Sequence, residues 1–326
     1  MKRSLIPFLC AALILWTALG AAEAVLPAAE VEVRLPSGFV CRTANGRTEA
    51  EIIGYEGTDM RVTTPASVTF PTDEGDLTLP VTRLKAWAFE KSPVSAVVIA
   101  EGVTEIGAYC FSECESLEVV VLPESLQVLG SCAFIRCISL EEIALPAALT
   151  AVGSNPFCYC TGLVRLDLAQ PMAPEGEAPR HPVLDFADGM LSERATGRLI
   201  ARLSTAEDEE GRIALPEGCV TVGDYALANN SALREVEVPD TVTGFGRYAF
   251  YHCTALRRVT IPDSVKVIGD GCFRMCHDDL TLSVSEGSPA WTWARANGIL
   301  TETPGGDAAE PEDDGPFLEE TDVQAP

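Results

Sequence analysis

A repeat of 23 residues is the feature that most constrains the fold of this chain. Cysteines of a Cys-x-x-Leu motif recur at this spacing, each preceded by a large apolar residue and, four positions earlier, by a glycine. The repeated cysteines are Cys114, Cys137 and Cys160 and, after an interruption, Cys253 and Cys276, the last with Asp279 in place of the leucine. Such a period is typical of a solenoid, in which each unit buries its apolar faces only against its neighbours. We therefore expect a stack of similar coils.

Each column of the repeat has a physical role in such a coil. In the segment LEVVVLP, the side chains of Leu117, Val120 and Leu122 are expected to point inward from a β-strand. Pro123 ends that strand because it has no N–H to donate. Gly107 is expected to permit a backbone turn with positive φ. The aromatic residue of each repeat is expected to pack between stacked coils.

The repeat closely resembles the BspA-type, or Treponema-type, leucine-rich repeat. The segments IGAYCFSECESLEVVVLPESLQV and FGRYAFYHCTALRRVTIPDSVKV match the family unit nearly throughout, whereas Leu227, Asn230, Pro156 and Asp279 depart from it. The resemblance implies a β-rich, right-handed leucine-rich-repeat solenoid of 23-residue coils with a parallel β-sheet on one face. It also implies a secreted or surface-displayed bacterial protein, since family members are often implicated in adhesion.

The N-terminus has the order of a secretory signal. Lys2 and Arg3 precede an apolar run from Leu5 to Leu19, and an A-x-A site ends at Ala24. Cleavage there leaves Val25 as the first residue and an exported chain without a transmembrane segment. The alternative is an uncleaved membrane anchor, since the apolar run is only slightly short for a bilayer span.

Composition shifts divide the chain into seven segments. Residues 171–212 break the repeat and contain two short apolar runs around a polar turn, which predicts a β-hairpin insertion. The C-terminal segment has many acidic residues, no basic ones and frequent Pro and Gly, which predicts disorder. The predicted segments are a signal peptide (1–24), an N-terminal capping region (25–80), leucine-rich repeats (81–170), the hairpin insertion (171–212), further repeats (213–285), a C-terminal cap (286–300) and the acidic tail (301–326).

The charge of the chain excludes some partners. It contains 23 Lys and Arg against 48 Asp and Glu, a formal net charge of −25. Nucleic-acid binding needs clustered basic residues that neutralise phosphates, and docking on anionic lipids needs them too. We therefore expect neither partner, and we expect the protein to be a monomer.

The cysteines and histidines admit two interpretations. Eleven of the 12 cysteines remain after signal cleavage, and most occupy inward columns, so we expect reduced core thiols, with Cys132 and Cys158 the better candidates for oxidation. A zinc site formed by His252-Cys253 and Cys276-His277 is the alternative. It is disfavoured because the cysteines are expected to point into the core and the histidines outward. No cofactor or metal ion is therefore predicted.

No catalytic motif is present. The chain lacks G-x-S-x-G, H-E-x-x-H and a phosphate-binding glycine loop. His181, Asp185 and Ser192 of the insertion contain the residue types of a triad, but nothing in the sequence brings them into its geometry. We expect them to be exposed loop residues, and no catalytic residue is assigned.

The predicted strand face suggests where a partner binds. Because side chains alternate along a strand, outward positions can be named in each coil. Oppositely charged outward residues predict ion pairs between Glu142 and Arg165 and between Glu235 and Arg258. The first coils differ, since their outward residues are apolar and are rimmed by Glu118, Glu141 and Glu142. The predicted partner-binding residues are Ala96, Val98, Val119, Val121, Glu142 and Ala144.

These features support three functional hypotheses. The first is a binding module that engages a protein or glycan partner through the strand face. The second is a structural spacer or assembly element of the cell envelope. The third is an enzyme whose site lies at the insertion, which a pocket with converging titratable groups there would favour. The apolar outward residues favour the first, unless the N-terminal cap covers them.

Overall fold

The computed structural model describes residues 30–170, 180–203 and 210–304. The predicted signal peptide and most of the predicted acidic tail lie outside these residues. No helix within the described ranges is long and apolar enough to span a bilayer.

The N-terminal region consists of β-strands that lead into the stack of coils. Three antiparallel strands are followed by a strand on the other side of the stack and by a β-hairpin. The last strand of the hairpin pairs in parallel with the first coil of the repeat region. The strands are β1 (Glu32–Arg34), β2 (Phe39–Ala44), β3 (Glu49–Tyr55), β4 (Arg61–Thr63), β5 (Ser67–Thr72) and β6 (Gly75–Leu84).

The first repeats form a β-solenoid with two ladders of short parallel strands. The longer strands, β7 (Ala96–Val98), β9 (Val119–Val121), β11 (Glu142–Leu145) and β13 (Arg165–Leu168), form the strand face. Two-residue strands form the second ladder, namely β8 (Glu105–Ile106), β10 (Val128–Leu129) and β12 (Ala151–Val152). The predicted β-rich solenoid with parallel strands is confirmed, and the second ladder adds to the one face expected.

Aromatic rings and thiols fill the space between coils. Phe89, Phe111, Phe134 and Phe157 stack in a row, with successive ring centroids 4.7, 5.1 and 6.0 Å apart. Each repeated cysteine donates its S–H to the backbone carbonyl of the apolar residue one coil earlier, as Cys137 does to Phe111 at 3.2 Å. A small thiol therefore fits the column and satisfies a buried acceptor.

The repeated glycines allow close packing of neighbouring coils. The prediction that Gly107 permits a turn with positive φ was wrong. Gly107 and Gly130 are absent from the residues with positive φ, which instead include Tyr109 and Glu113. A Cβ atom on Gly130 would lie 2.4 Å from the backbone nitrogen of Ala108 in the preceding coil. Glycine is required because two backbones approach too closely for any side chain.

The insertion forms a three-stranded antiparallel sheet where the sequence indicated two strands. Its strands are β14 (Leu184–Ala187), β15 (Met190–Glu193) and β16 (Arg198–Arg202). β16 pairs in parallel with the first two-residue strand of the second repeat block. On the opposite side, the turns of the two blocks meet directly, since the Asn155 side chain donates to the backbone carbonyl of Tyr225 at 2.6 Å. The insertion therefore enlarges one side of the solenoid, next to β13.

The second repeat block continues both ladders and ends in a helix. Its elements are β17 (Arg212–Ala214), β18 (Thr221–Val222), β19 (Glu235–Glu237), β20 (Gly244–Phe245), β21 (Arg258–Thr260), β22 (Val267–Ile268), β23 (Thr281–Ser283), α1 (Pro289–Ala296) and β24 (Leu300–Glu302). Ser288 caps the N-terminus of α1 by accepting from the Trp291 N–H. The predicted tail began too early, because Glu302 is buried in β24 and its carboxylate lies 3.1 Å from the Arg258 guanidinium.

Candidate functional site

The predicted partner-binding residues lie together on the strand face. Ala96 and Val98 of β7 are in register with Val119 and Val121 of β9, and Ala144 belongs to neighbouring β11. Val98, Val119 and Val121 are 41%, 50% and 48% exposed. The three valines and the two alanines are called the valine patch below. Contiguous apolar surface with a polar rim is one feature of protein–protein interaction sites.

The N-terminal region extends the valine patch and does not cover it. β4 pairs in parallel with β7, so Arg61 is in register with Ala96 and Thr63 with Val98. β4 therefore lies beside the patch as one more strand. The alternative that a cap shields the patch does not hold for the described residues, because the three valines stay about half exposed.

Acidic side chains border the valine patch. Glu118 and Glu141 are exposed, and Glu142 pairs with Arg165 across neighbouring strands as predicted. Exposed pairs of this kind contribute little to stability, about 0–1 kcal/mol. Arg165 also lies 3.4 Å from Asp167 on its own strand. The border of the patch is thus largely acidic, with Arg61 on the opposite edge.

The second predicted ion pair was wrong. Glu235 lies 3.2 Å from Arg212 on the preceding strand, and Arg258 pairs with Glu302. β24 continues the sheet beyond β23 and brings the Glu302 carboxylate within reach of Arg258. Strand order alone could not reveal this competitor, because Glu302 belongs to no repeat.

A pocket of about 320 Å³ lies where the strand face meets the insertion. It opens beside β13, the strand that follows the valine patch and β11. The pocket is lined by Leu166, Asp167, Leu168, Gln170, Arg180, His181, Leu184, Asp185, Phe186 and Arg194. Titratable groups therefore converge at the insertion, as the enzyme hypothesis required.

His181 has no free nitrogen for catalysis, and the expectation that it is exposed was wrong. The residue is 2% exposed. Its Nδ1 accepts from the backbone N–H groups of Val183 and Leu184 at 3.3 and 3.1 Å. Its Nε2 lies 3.1 Å from the backbone carbonyl of Pro146, which requires the proton on Nε2. Burial lowers the pKa of this imidazole, so it is held neutral as a structural anchor.

The other members of the conceivable triad are engaged elsewhere. Both carboxylate oxygens of Asp185 accept from Arg194, at 2.6 Å from Nη2 and 3.1 Å from Nε. This pairing lowers the pKa of Asp185, which keeps the carboxylate ionised. Ser192 lies opposite Asp185 in the antiparallel pairing of β14 with β15, and His181 faces backbone atoms instead. The pocket lining thus presents charged and polar groups but no nucleophile with its base.

The described residues contain no group of three or more His, Cys, Asp and Glu side chains arranged to hold a metal ion. Cys253 points inward and donates to the Leu227 carbonyl, whereas the His252 ring meets the side chain of Asn229. Cys132 and Cys158, the expected candidates for oxidation, are buried like most of the other described cysteines. They lie beneath tyrosine rings, and burial raises the pKa of the Cys132 thiol.

Sequence reasoning located the valine patch but missed the pocket. Strand alternation signals outward residues within a repeat, whereas the lining residues come from β13 and from an insertion of no fixed period. Arg180 and Arg194 gave one usable signal, since they are basic residues in a short stretch of a strongly acidic chain. That signal did not reveal that they would face β13.

Three solved structures of leucine-rich repeat proteins are similar to this chain. A leucine-rich repeat protein from Eubacterium ventriosum aligns with a TM-score of 0.54 at 15% identity, covering 79% of this chain and 73% of its own. The leucine-rich repeat protein of T. pallidum aligns at 20% identity and TM-score 0.42, over 82% of this chain and 97% of its own. A leucine rich cell surface protein from Faecalibacterium prausnitzii aligns at 19% identity and TM-score 0.32, over 81% and 97%. No curated protein sequence matches significantly.

The sequence profile of the BspA type leucine rich repeat region matches in six copies, over residues 78–173 and 210–287. These ranges make up more than half of the chain and contain both blocks of coils, with the insertion between them. This chain therefore belongs to the BspA-type leucine-rich repeat family.

Proposed function

We propose that this protein is a secreted or surface-displayed binding module, adhesin-like, that engages a protein or glycan partner through its strand face. The observation that carries the proposal is the valine patch, in which three aliphatic side chains are about half exposed on two adjoining strands. Exposure of apolar surface to water costs roughly 25 cal/mol of free energy for each Å². Burying it against a partner recovers that free energy.

The chemistry of the patch favours a protein over a glycan at this position. Its side chains are aliphatic and offer neither hydrogen-bonding groups nor a flat aromatic ring. Its border is acidic through Glu118, Glu141 and Glu142. A complementary partner has an aliphatic centre with Lys or Arg around it, since opposite charges at the rim steer association and exclude wrong partners. A partner with basic residues would also be attracted by the net charge of −25 of this protein.

Support for export comes from the sequence and from the family. The N-terminal signal pattern has the order required for secretion. The Faecalibacterium prausnitzii relative is described as a cell surface protein. We expect exported protein to begin at Val25, which mass spectrometry of its N-terminus tests. Recovery of the intact apolar run of Leu5 to Leu19 would contradict export by cleavage.

The test of the strand face replaces Val119 and Val121 with Lys together. Binding to immobilised extracellular-matrix proteins and mucin glycans is measured for the parent and the variant by surface plasmon resonance. Two lysines at the centre place unpaired charges in the contact, so we expect binding to any matrix protein that the parent recognises to be lost. The thermal midpoint is expected to stay within a few degrees, since both side chains face solvent.

A matched control separates the patch from general effects of added charge. Val267→Lys introduces the same change at a residue that is 64% exposed on the other ladder, and we expect it to retain binding. Equal loss in both variants, or retained binding in the Val119 and Val121 variant, contradicts the proposal. A parent protein that binds none of the probes but assembles with itself would instead support the structural spacer.

A further inference from the structure

The pocket between β13 and the insertion has a charge balance unlike that of the surrounding surface. Asp185 is paired with Arg194, and Asp167 lies 3.4 Å from Arg165. Arg180 also lines the pocket and forms no ion pair within the described part of the chain. The lining thus has two arginines against two aspartates in a protein whose net charge is −25. The Arg180 charge acts on Asp185, but Arg180 is the lining arginine without a carboxylate at ion-pair distance in the described ranges.

We propose that this pocket binds an acidic sugar residue, a uronic or sialic acid, whose carboxylate pairs with Arg180. The guanidinium presents its N–H groups as a planar fork that matches the two oxygens of a carboxylate. The inference goes beyond the binding of a protein at the valine patch and does not depend on it.

The remaining polar groups of the pocket suit a ligand with hydroxyl groups. Asp167 and Asp185 offer carboxylate oxygens that accept from hydroxyls, and the Gln170 amide both donates and accepts. Each carboxylate oxygen has a second lone pair, so Asp185 can accept from a hydroxyl while it stays paired with Arg194. A sugar acid suits this arrangement, because its carboxylate can face Arg180 while hydroxyls on another edge of the ring face the aspartates.

Apolar side chains supply the surface for the C–H face of a sugar ring. Phe186 and Leu168 line the pocket, and both are half-buried and packed against the core of the first repeat block. A volume of about 320 Å³ lies at the lower end for small-molecule sites. It accommodates a monosaccharide unit, whereas an Asp or Glu side chain of a protein would fill only part of it.

Two of the lining residues, His181 and Arg194, are held in place by the protein itself. His181, next to Arg180 in the chain, is anchored through both ring nitrogens to backbone atoms. Arg194 is fixed by Asp185 and by a further hydrogen bond of 3.3 Å to the Leu184 carbonyl. Such anchoring lowers the entropy cost of binding, because a ligand does not have to order these two side chains.

The experiment uses sugars that differ only in the acidic group. Methyl glucuronoside and methyl glucoside share a ring and differ by a carboxylate in place of a hydroxymethyl group. Binding of each to the purified protein is measured by saturation-transfer NMR and calorimetric titration, together with the methyl glycoside of N-acetylneuraminic acid. At least one acidic sugar is expected to bind, and its neutral counterpart is expected to bind roughly tenfold or more weakly, since a charge-assisted hydrogen bond is lost.

Variants of Arg180 test the assignment of the carboxylate. Arg180→Gln is expected to remove the preference for the acidic sugar. Arg180→Lys is expected to retain part of the preference, because lysine keeps the positive charge but lacks the planar pair of N–H donors. Arg180 is exposed and forms no ion pair in the described ranges, so both variants are expected to fold. Arg212→Gln, at an exposed arginine of the second repeat block, serves as the matched control and is expected to bind like the parent.

Four results would overturn the inference. They are the absence of binding by any acidic sugar, equal binding of glucuronoside and glucoside, unchanged preference in Arg180→Gln, and binding of N-acetylglutamate amide as tight as that of the sugars. The last would assign the pocket to an acidic side chain of a protein. The variant with Lys at 119 and 121 is expected to keep sugar binding, so failure of the valine-patch proposal is distinguished from failure of this one.

Discussion

Substitution of Gly130 by Ala tests why the repeat requires glycine. The added Cβ would lie 2.4 Å from the nitrogen of Ala108 and 2.5 Å from the carbonyl carbon of Gly107, both backbone atoms of the preceding coil. Neither can rotate away as a side chain does. Overpacking of a core by one methyl group costs about 1–3 kcal/mol, and a clash with fixed backbone belongs at the upper end. We expect Gly130→Ala to lower the free energy of unfolding by about 2–3 kcal/mol.

The measurement is urea denaturation followed by circular dichroism, with Gly218→Ala as the matched control. A Cβ on Gly218 meets no atom within 4 Å, and its φ is not positive. That substitution is expected to be neutral or to stabilise by up to about 1 kcal/mol, because it restricts the unfolded chain. A Gly130→Ala variant within about 0.5 kcal/mol of the parent would refute the close-packing argument.

Asn at the same position distinguishes the two explanations for glycine. Asn adopts positive φ more readily than Ala, so it would be the milder substitution if glycine served a left-handed turn. Close packing makes the opposite prediction, since Asn also has a Cβ and a larger side chain. We expect Gly130→Asn to destabilise at least as much as Gly130→Ala.

Two further predictions concern buried side chains. Cys137→Ala is expected to lower the free energy of unfolding by about 1–2 kcal/mol in the same urea assay, because it leaves a small cavity and removes the donor to the Phe111 carbonyl. Cys137→Asp is expected to lower it by several kcal/mol, because it buries a charge. An alanine variant as stable as the parent would contradict this. Because burial lowers the pKa of His181, the unfolded state binds its proton more readily, so this residue's contribution is present above pH about 6.5 and is lost as pH falls toward the folded-state pKa. The drop in unfolding free energy between pH 7 and pH 5 is therefore expected to be smaller in His181→Asn, and an identical drop would contradict the assignment.

The repeat makes the architecture predictable from the amino-acid sequence. Its period predicts stacked coils, and its alternation places Val119 and Val121 outward and Val120 inward, as the structure has them. The Glu142–Arg165 pair followed from the same register, since both residues occupy one column of neighbouring parallel strands. These features depend on local sequence and on contacts between equivalent positions of successive coils. The structure of one coil therefore predicts that of the next.

Prediction failed wherever a contact joins residues outside that register. Glu302 captures Arg258 because β24 extends the sheet, and His181 is buried because a backbone carbonyl of the preceding repeat block lies against it. The role of the repeated glycines Gly107 and Gly130 was mistaken for a different reason, since their close contacts lie within the register. The repeat shows that glycine recurs at this position. It does not show whether glycine is needed for a positive φ or because a neighbouring backbone leaves no room for a Cβ atom.

The solenoid, the direction of its side chains and the apolar character of the strand face are all encoded in the amino-acid sequence, because each follows from a periodic pattern and from alternation along a strand. Folding in three dimensions was needed to leave the valine patch open beside β4, to bring Arg180 and Arg194 to β13 around a pocket, and to hold His181 neutral. Those outcomes depend on how nonrepeating segments fold against the stack. Their contacts join residues that are distant in the chain and share no period, so no local pattern encodes them.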